Sequence, residues 1–242
     1  MSWLTFAVLF VMSQLIGAQT PTEILSGARL IADSSTLKAT MEMSIAAKDG
    51  TKKRSLEIYA SFAKDRSSKT FVRIKSPEFL RNMKLLRISN AEGKSETWIR
   101  TSQGTRRIAG GGTSESVFDS DFTTEDFGSF DRGAYRALRI EELPGGGSLR
   151  VFAEPLGVSE WREIRVSIEK KSMLISMIEY VLKNGTIGKV YRLLEKQELE
   201  GAESTKSCIM ENPRRGSATT LKIIDIELGL PIKDSLFSKG SL

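Results

Sequence analysis

From Leu37 onward apolar and polar residues alternate almost one for one, the period of half-buried strands rather than of helices. Leu37, Ala39, Met41, Met43 and Ile45 share one face, and Lys38, Thr40, Glu42 and Ser44 share the other. After the turn Lys48-Asp49-Gly50-Thr51, Leu56, Ile58, Ala60 and Phe62 repeat the pattern opposite Ser55, Glu57 and Ser61. Asp-Gly between two alternating runs predicts a hairpin. The pattern continues through Lys69 to Lys75, Met83 to Ile88, and short runs around Trp98 and Arg106-Arg107-Ile108. It resumes in Tyr135 to Leu143, Ser148 to Ala153, Trp161 to Glu169, Met173 to Leu182, Ile187 to Glu198 and Ala218 to Leu228. Gly145-Gly146-Gly147, Lys170-Lys171 and Asn184-Gly185 mark turns. Pro21 to Asp33 differs: Ile24, Leu25, Ala28, Leu30, Ile31 and Ala32 have helical spacing, with Thr20 or Thr22 placed to cap.

These runs predict a mainly β protein of about ten or eleven antiparallel strands, each apolar on one face. A one-faced sheet must cover that face, and with so little helix it does so by curling around its own interior. The N-terminal helix and a short internal helix would plug the inside. A two-sheet sandwich fits the alternation too; the length of the runs favours one curled sheet. No repeat or linker divides the chain, which predicts one domain over residues 19–242. Its inner lining would include Leu37, Met41, Met43, Ile45, Leu56, Ile58, Phe62, Val72, Ile74, Leu86, Ile88 and Trp98. Met41, Met43, Met83, Met173 and Met177 lie in predicted strands, as core filling or as a lining that adapts to flexible chains.

Composition removes whole classes of chemistry. The 242 residues contain no histidine and one cysteine, so no Ser-His-Asp triad, Cys-His pair, His-ligated zinc or intrachain disulfide can form. No metal or other cofactor is expected. Cys208, between Ser207 and Ile209, reads as buried. The net charge of +6 comes partly from basic pairs at predicted turns: Lys52-Lys53-Arg54, Arg106-Arg107, Lys170-Lys171 and Arg214-Arg215. They are either solvated hairpin tips or a docking surface for anionic headgroups or an acidic partner. Nucleic acid is not the expected partner, because no strand interleaves aromatic with basic residues. Gly110–Gly112 and Gly145–Gly147 lack the Gly-Lys-Ser/Thr of a phosphate loop and read as hairpin loops. At the start, Trp3 to Met12 is nearly all apolar, too short to span a bilayer and suited to a signal-peptide core, although no Lys or Arg precedes it. Residues 1–18 therefore read as a cleaved signal peptide, with an uncleaved anchor as the alternative. No cysteine near the cut offers a lipidation site.

Residues 117–131 break the alternation: Phe118, Phe122, Phe127 and Phe130 interleave with Asp119, Asp121, Glu125, Asp126 and Asp131. Thr123 or Thr124 before Glu125-Asp126 can open a short helix, its acids at the favourable end. The string Phe118-Asp119-Ser120-Asp121-Phe122-Thr123-Thr124-Glu125-Asp126 resembles a motif of the LolA-like outer-membrane lipoprotein-sorting proteins, in their longer-chain bacterial subgroup. The order of parts is similar too: signal peptide, helix, long hairpin, Ser76-Pro77 leading to Leu86-Arg87-Ile88, a Trp98 strand, Arg106-Arg107-Ile108, and the tail Pro231 to Phe237. Where relatives carry Trp-x-Tyr, this chain reads Trp98-Ile99-Arg100. The resemblance implies an incomplete barrel plugged by helices around a hydrophobic cavity. It also implies a periplasmic, non-enzymatic role in carrying lipid or acylated lipoprotein between membrane donor and acceptor complexes.

On that reading Phe118, Asp119, Asp121, Phe122, Glu125, Asp126 and Phe127 form a gate. Three other uses of the acids stay open: a hard-cation site, which lacks the glycine and glutamate of an EF-hand; an acid–base pair; and helix capping. Opposed to the carrier stands a non-carrier envelope interaction or accessory protein whose barrel core is simply filled.

Overall fold

The alternating runs pair into one antiparallel sheet in the computed structural model, which describes residues 19–65, 67–92, 94–108, 115–124, 126 and 134–242. In chain order the elements are α1 (Pro21–Gly27), β1 (Thr36–Ala47), β2 (Gly50–Phe62), β3 (Ser68–Ser76), β4 (Lys84–Ser89), β5 (Ser95–Thr101) and β6 (Gly104–Ile108). Then follow β7 (Tyr135–Glu142), β8 (Ser148–Pro155), β9 (Trp161–Glu169), β10 (Ile175–Leu182), β11 (Ile187–Leu199), β12 (Ala202–Asn212) and β13 (Ser217–Leu228). The 13 strands run β6-β5-β4-β3-β2-β1-β13-β12-β11-β10-β9-β8-β7. Every neighbour is a sequence neighbour except β1 and β13, which join the two ends of the meander. The edges β6 and β7 do not pair with each other, so the curled sheet stays an incomplete barrel.

Two expectations change in detail. The count rises to 13, chiefly because β12 (AESTKSCIMEN) carries few apolar residues yet buries Ser204, Thr205, Ser207, Cys208 and Met210. Small hydroxyl side chains fill its packed positions, so hydrophobic periodicity passes over it. Its hairpin with β11 turns at Glu200 and Gly201, both with positive φ (50° and 78°), as a two-residue primed turn requires. The helix is shorter than Pro21–Asp33. Thr20 and Glu23 form a capping box, Thr20 Oγ1 accepting from Glu23 N at 3.2 Å and Glu23 accepting from Thr20 N at 2.7 Å. Helix formation then stops at Ser26-Gly27, weak helix formers, and Ala28 is extended (φ −65°, ψ 143°). The next residues spend their backbone groups elsewhere: Arg29 N donates to Met173 O (2.9 Å), Ile175 N to Arg29 O (2.9 Å) and Thr205 N to Leu30 O (3.1 Å).

The register assigns the two ends of the curled sheet. Turns at 48–49, 77–83, 102–103, 156–160, 183–186 and 213–216 lie at one end; the β2–β3 and β4–β5 connections and the turns at 143–147, 170–174 and 200–201 lie at the other. The strap after α1 crosses this second end. On the concave side Ile24, Leu25 and Ala28 join one cluster with strand residues from Leu37 to Ile223. A smaller cluster, Phe71, Leu86 and Trp98 with Phe237 and Leu242, lies on the convex side, where the C-terminal tail covers β3 to β5.

Candidate functional site

Strand alternation brings most of the expected lining together. Leu37, Met41, Met43, Ile45, Leu56, Val72 and Ile74 are buried in the concave cluster, and Ile58 and Phe62 pack at its margin. From β13 onward the same surface continues through Leu221, Met210, Tyr191, Ile178, Ile164 and Val166. Leu86, Ile88 and Trp98 are not part of it. They point to the convex side, among Phe71, Tyr59, Ile232, Leu236, Phe237 and Leu242. The reason is local: Leu85 and Leu86 are adjacent and both fully buried, so β4 is covered on both faces and its pattern has no unique phase. Of the methionines, Met41 and Met43 are buried inside and Met83 and Met173 pack at the margin, whereas Arg192 Nη1 approaches Met177 Sδ (2.9 Å).

Residues 115–124, with Asp126, cover this concave surface at the end opposite the helical strap. Ser116 bridges Thr123, Val117 N donates to Phe122 O (2.9 Å) and Thr124 N to Glu115 O (3.2 Å). The tip turns on Phe118 and Asp119, whose φ values of 53° and 54° close the bond from Ser120 N to Val117 O (3.1 Å). A phenylalanine in the left-handed region costs about 1 kcal/mol or more, and burying its ring returns about 1.5–3 kcal/mol. Val117, Phe118 and Phe122 are all buried against the strands. The described residues 115–124 form this hairpin-like plug, and the stretch over which the expected short helix beginning at Thr123 or Thr124 would run lies mostly outside the described residues. Glu125 and Phe127 lie outside the described residues, as do Phe130, Asp131 and Gly110–Gly112.

Its acids hold the plug down. Asp119 accepts from Arg54 Nη2 of β2 (3.1 Å); Arg54 is itself buried, not a solvated turn residue. Asp121 is buried and accepts from Ser217 Oγ (2.6 Å) and Thr219 Oγ1 (2.8 Å) on β13, while its N–H donates back to Thr219 Oγ1 (2.9 Å). Arg215 Nη1 reaches Ser120 O (3.3 Å). Asp126 meets Lys189 Nζ of β11 at 2.6 Å, with side chains 5% and 2% exposed. Tyr180 OH donates to its other oxygen (2.9 Å), and Thr123 contributes N–H and hydroxyl donors (2.6 and 2.8 Å). The Lys189 ammonium also lies 4.4 Å from the Tyr180 ring centre and 5.5 Å from that of Trp161. A buried pair is not a large net stabiliser, but removing one partner costs about 3–5 kcal/mol, since it strands the other charge. These bonds fix the plug in place.

Sequence reasoning passed over Lys189 and placed Arg54 in a basic turn rather than in the interior. Arg54 was legible in principle, because it shares the phase of Leu56, Ile58 and Ala60 on β2. Lys189 shares the phase of Tyr191 on β11 in the same way, and an acid inserted among phenylalanines requires such a cation. Glycine at 188 is needed beside it: a Cβ there would meet Trp161 Cζ3 at 2.6 Å. The other basic pairs are largely engaged: Lys52 with Asp49, Arg106 with Glu115, Arg107 with Glu96, Lys170 with Glu142 and Arg214 with Glu160. Arg106 and Arg107 lie in β6 rather than in a turn.

Among the described residues no three His, Cys, Asp or Glu side chains gather as a metal would need. Cys208 is buried, and burial pushes its thiol up to about 12. Burial likewise raises Tyr191 well above the ordinary phenol value. Two open grooves lie away from the concave cluster. One, of about 440 Å³, sits between Ala46–Lys48 and Glu211–Ala218; the other, of about 590 Å³, runs under the C-terminal tail between Tyr59 and Leu230–Ser241.

Solved structures share this architecture. A DUF1329 family protein from Desulfovibrio piger superposes with a TM-score of 0.81 at 20% identity, over 92% of this chain and 97% of that one. A domain from Vibrio parahaemolyticus, provisionally named an outer membrane lipoprotein-sorting protein domain, gives 0.80 at 18% identity, over 90% and 94%. A LolA superfamily protein from Nitrosomonas europaea gives 0.73 at 17%, over 93% and 100%. No curated protein matches the chain. A family profile described as "uncharacterized protein" matches residues 66–242. The chain belongs to that family, and it has the fold of the LolA superfamily and of outer-membrane lipoprotein-sorting domains.

Proposed function

We propose that the protein is a periplasmic carrier that shelters the acyl chains of a lipid or lipoprotein against its concave face and passes them toward the outer membrane without covalent chemistry. The observation that carries this reading is how that face is covered. No second sheet closes it among the described residues; a seven-residue helix and a short plug do. Both are small, and the plug is fastened by a few polar contacts rather than by a strand ladder. Displacing it uncovers a surface that offers about 0.8 kcal/mol for each methylene it removes from water. Leu37, Met41, Met43, Ile45, Leu56, Val72 and Ile74 would contact the chain, with Ile58 and Phe62 at the margin. Phe118 and Phe122 would move with the gate. Membrane donor and acceptor complexes would supply and receive the cargo, and residues 1–18 would direct export.

A second reading has its own observation. The two open grooves lie outside the concave cluster, and the plug and helix fill that cluster with buried side chains. A filled core suits an envelope interaction or accessory protein that carries nothing. Native mass spectrometry of the chain purified from a bacterial periplasm without detergent, followed by solvent extraction, separates the two. A stoichiometric adduct that extracts as lipid is expected. A bare protein mass, with no uptake of offered lipid or acylated peptide, would establish the filled-core reading.

A further inference from the structure

Charge and apolarity are distributed unevenly along the interior, and the uneven point is Lys189. It is more buried than any other cation among the described residues. Its carboxylate partner comes from the plug; the strands around it contribute the Tyr180 hydroxyl and two aromatic rings. Trp161 adds a buried indole Nε1 with no hydrogen-bond partner, its ring centre 5.3 Å from that of Tyr180. Beyond these groups the same face of β9 and β10 continues through the apolar Ile164, Ile178 and Val166. Along β9 and β10 the interior is thus laid out like an amphiphile, with hydrogen-bond donors and a positive charge at the plug end and hydrocarbon beyond it.

Resting on the carrier reading, we infer that Lys189, with Tyr180 and Trp161, is the seat of an anionic headgroup, and that Asp126 occupies this seat while the plug is down. The cargo class is then an amphiphile bearing a carboxylate or phosphate at the head of its acyl chain. The physical requirement is charge balance. Lifting the plug withdraws Asp126 and leaves an ammonium in a water-poor site, which is strongly unfavourable unless another anion arrives. An anionic headgroup can take over the bonds that Lys189 and Tyr180 now give to Asp126, and it can accept from the spare Trp161 N–H. A neutral acyl chain supplies none of this. Anionic cargo therefore competes with Asp126 for Lys189, and binding is coupled to release of the plug.

Equilibrium dialysis of oleate and of oleyl alcohol, which share one chain and differ in head charge, tests the inference at about pH 8, where a free carboxylate is ionised. Inorganic phosphate alone forms the third arm. The native chain is expected to prefer oleate about tenfold or more. Lys189→Met should bind the two alike. Asp126→Asn, which keeps an acceptor for Tyr180 but removes the competing charge, should tighten oleate more than oleyl alcohol, so that the preference for oleate rises. Equal binding of both probes by the native chain would overturn the headgroup seat and leave the carrier reading standing. Phosphate binding as well as oleate would overturn it in favour of a free-anion site. Binding of neither probe would remove the carrier reading as well. If Lys189→Met does not fold, as judged by circular dichroism, Asp126→Asn decides: an unchanged preference for oleate sinks the inference.

Discussion

Hydroxyl and thiol side chains take positions in this interior that aliphatic residues usually hold. Ser204 and Thr219 are fully buried, Ser207 nearly so, and Cys208 sits between β11 and β13. Each hydroxyl needs a partner, and several have one: Ser204 Oγ accepts from Ala32 N (3.2 Å), and Thr219 exchanges bonds with Asp121. Cys208 has a different consequence. An ordinary thiol near 9.0 is pushed up to about 12 by burial, so the folded state holds it neutral where the unfolded chain ionises it. Because the folded-state value is the higher one for an acid, stability is full below about 9.0 and falls as pH rises from there toward about 12. Alkylation by iodoacetamide in mildly alkaline buffer should be about a thousandfold slower in the native chain than in denaturant. Comparable rates would show that the thiol is accessible and the β11–β12 packing is loose. Such residues also mark where sequence is hardest to read. Period-two hydrophobicity finds Met43 or Val72 at once, but it scores Ser204, Thr205 and Ser207 as exposed and so loses β12.

At the scale of elements, long one-faced runs such as β1, β2, β9 and β13 were legible because one side of each is buried and the other wet. β4 was legible as a strand but not in its phase, because adjacent Leu85 and Leu86 serve two different clusters on opposite faces. The plug was legible as a place, through its crowded phenylalanines, but not as a shape. Its turn rests on a phenylalanine with positive φ, which local propensity disfavours and only tertiary burial allows. Asp121 is the residue that shows how firmly it is held. Asp121→Ala leaves the Ser217 and Thr219 hydroxyls facing a vacated acceptor, and should cost about 2–3 kcal/mol. Its signature should be a lowered Tm together with stronger binding of a hydrophobic dye. Asp234→Ala is the comparison, since its ion pair with Lys69 lies on the surface at 2.9 Å. That change should cost under about 1 kcal/mol and leave dye binding untouched. Equal effects from the two would mean that the plug is not anchored through Asp121.

For the whole molecule, the decisive feature is that β1 pairs with β13 at the middle of the sheet. The strands that join the two chain ends are each flanked on both sides, by β2 and by β12, while no described residue of the plug pairs with a strand of the sheet; the plug meets β13 through Asp121, whose carboxylate and N–H both bond Thr219 Oγ1. Such a layout allows the plug to rise without unzipping any strand pair. Two classes of opening should then be separable by amide hydrogen exchange. Amides of Met43, Leu221 and their neighbours should exchange only through global unfolding, since losing the central pairing breaks the meander in two. The amides of Val117 and Thr124, bonded within the plug to Phe122 O and Glu115 O, should exchange through a smaller opening. Each 1.4 kcal/mol of difference gives about a tenfold difference in rate, and a carrier requires that difference to be substantial. An added acyl ligand should speed exchange in the plug while protecting the amides of β1 and β2. If the plug amides instead exchange in step with those of β1 and β13, the plug opens only when everything does. The concave face is then permanent core, and the protein carries nothing there.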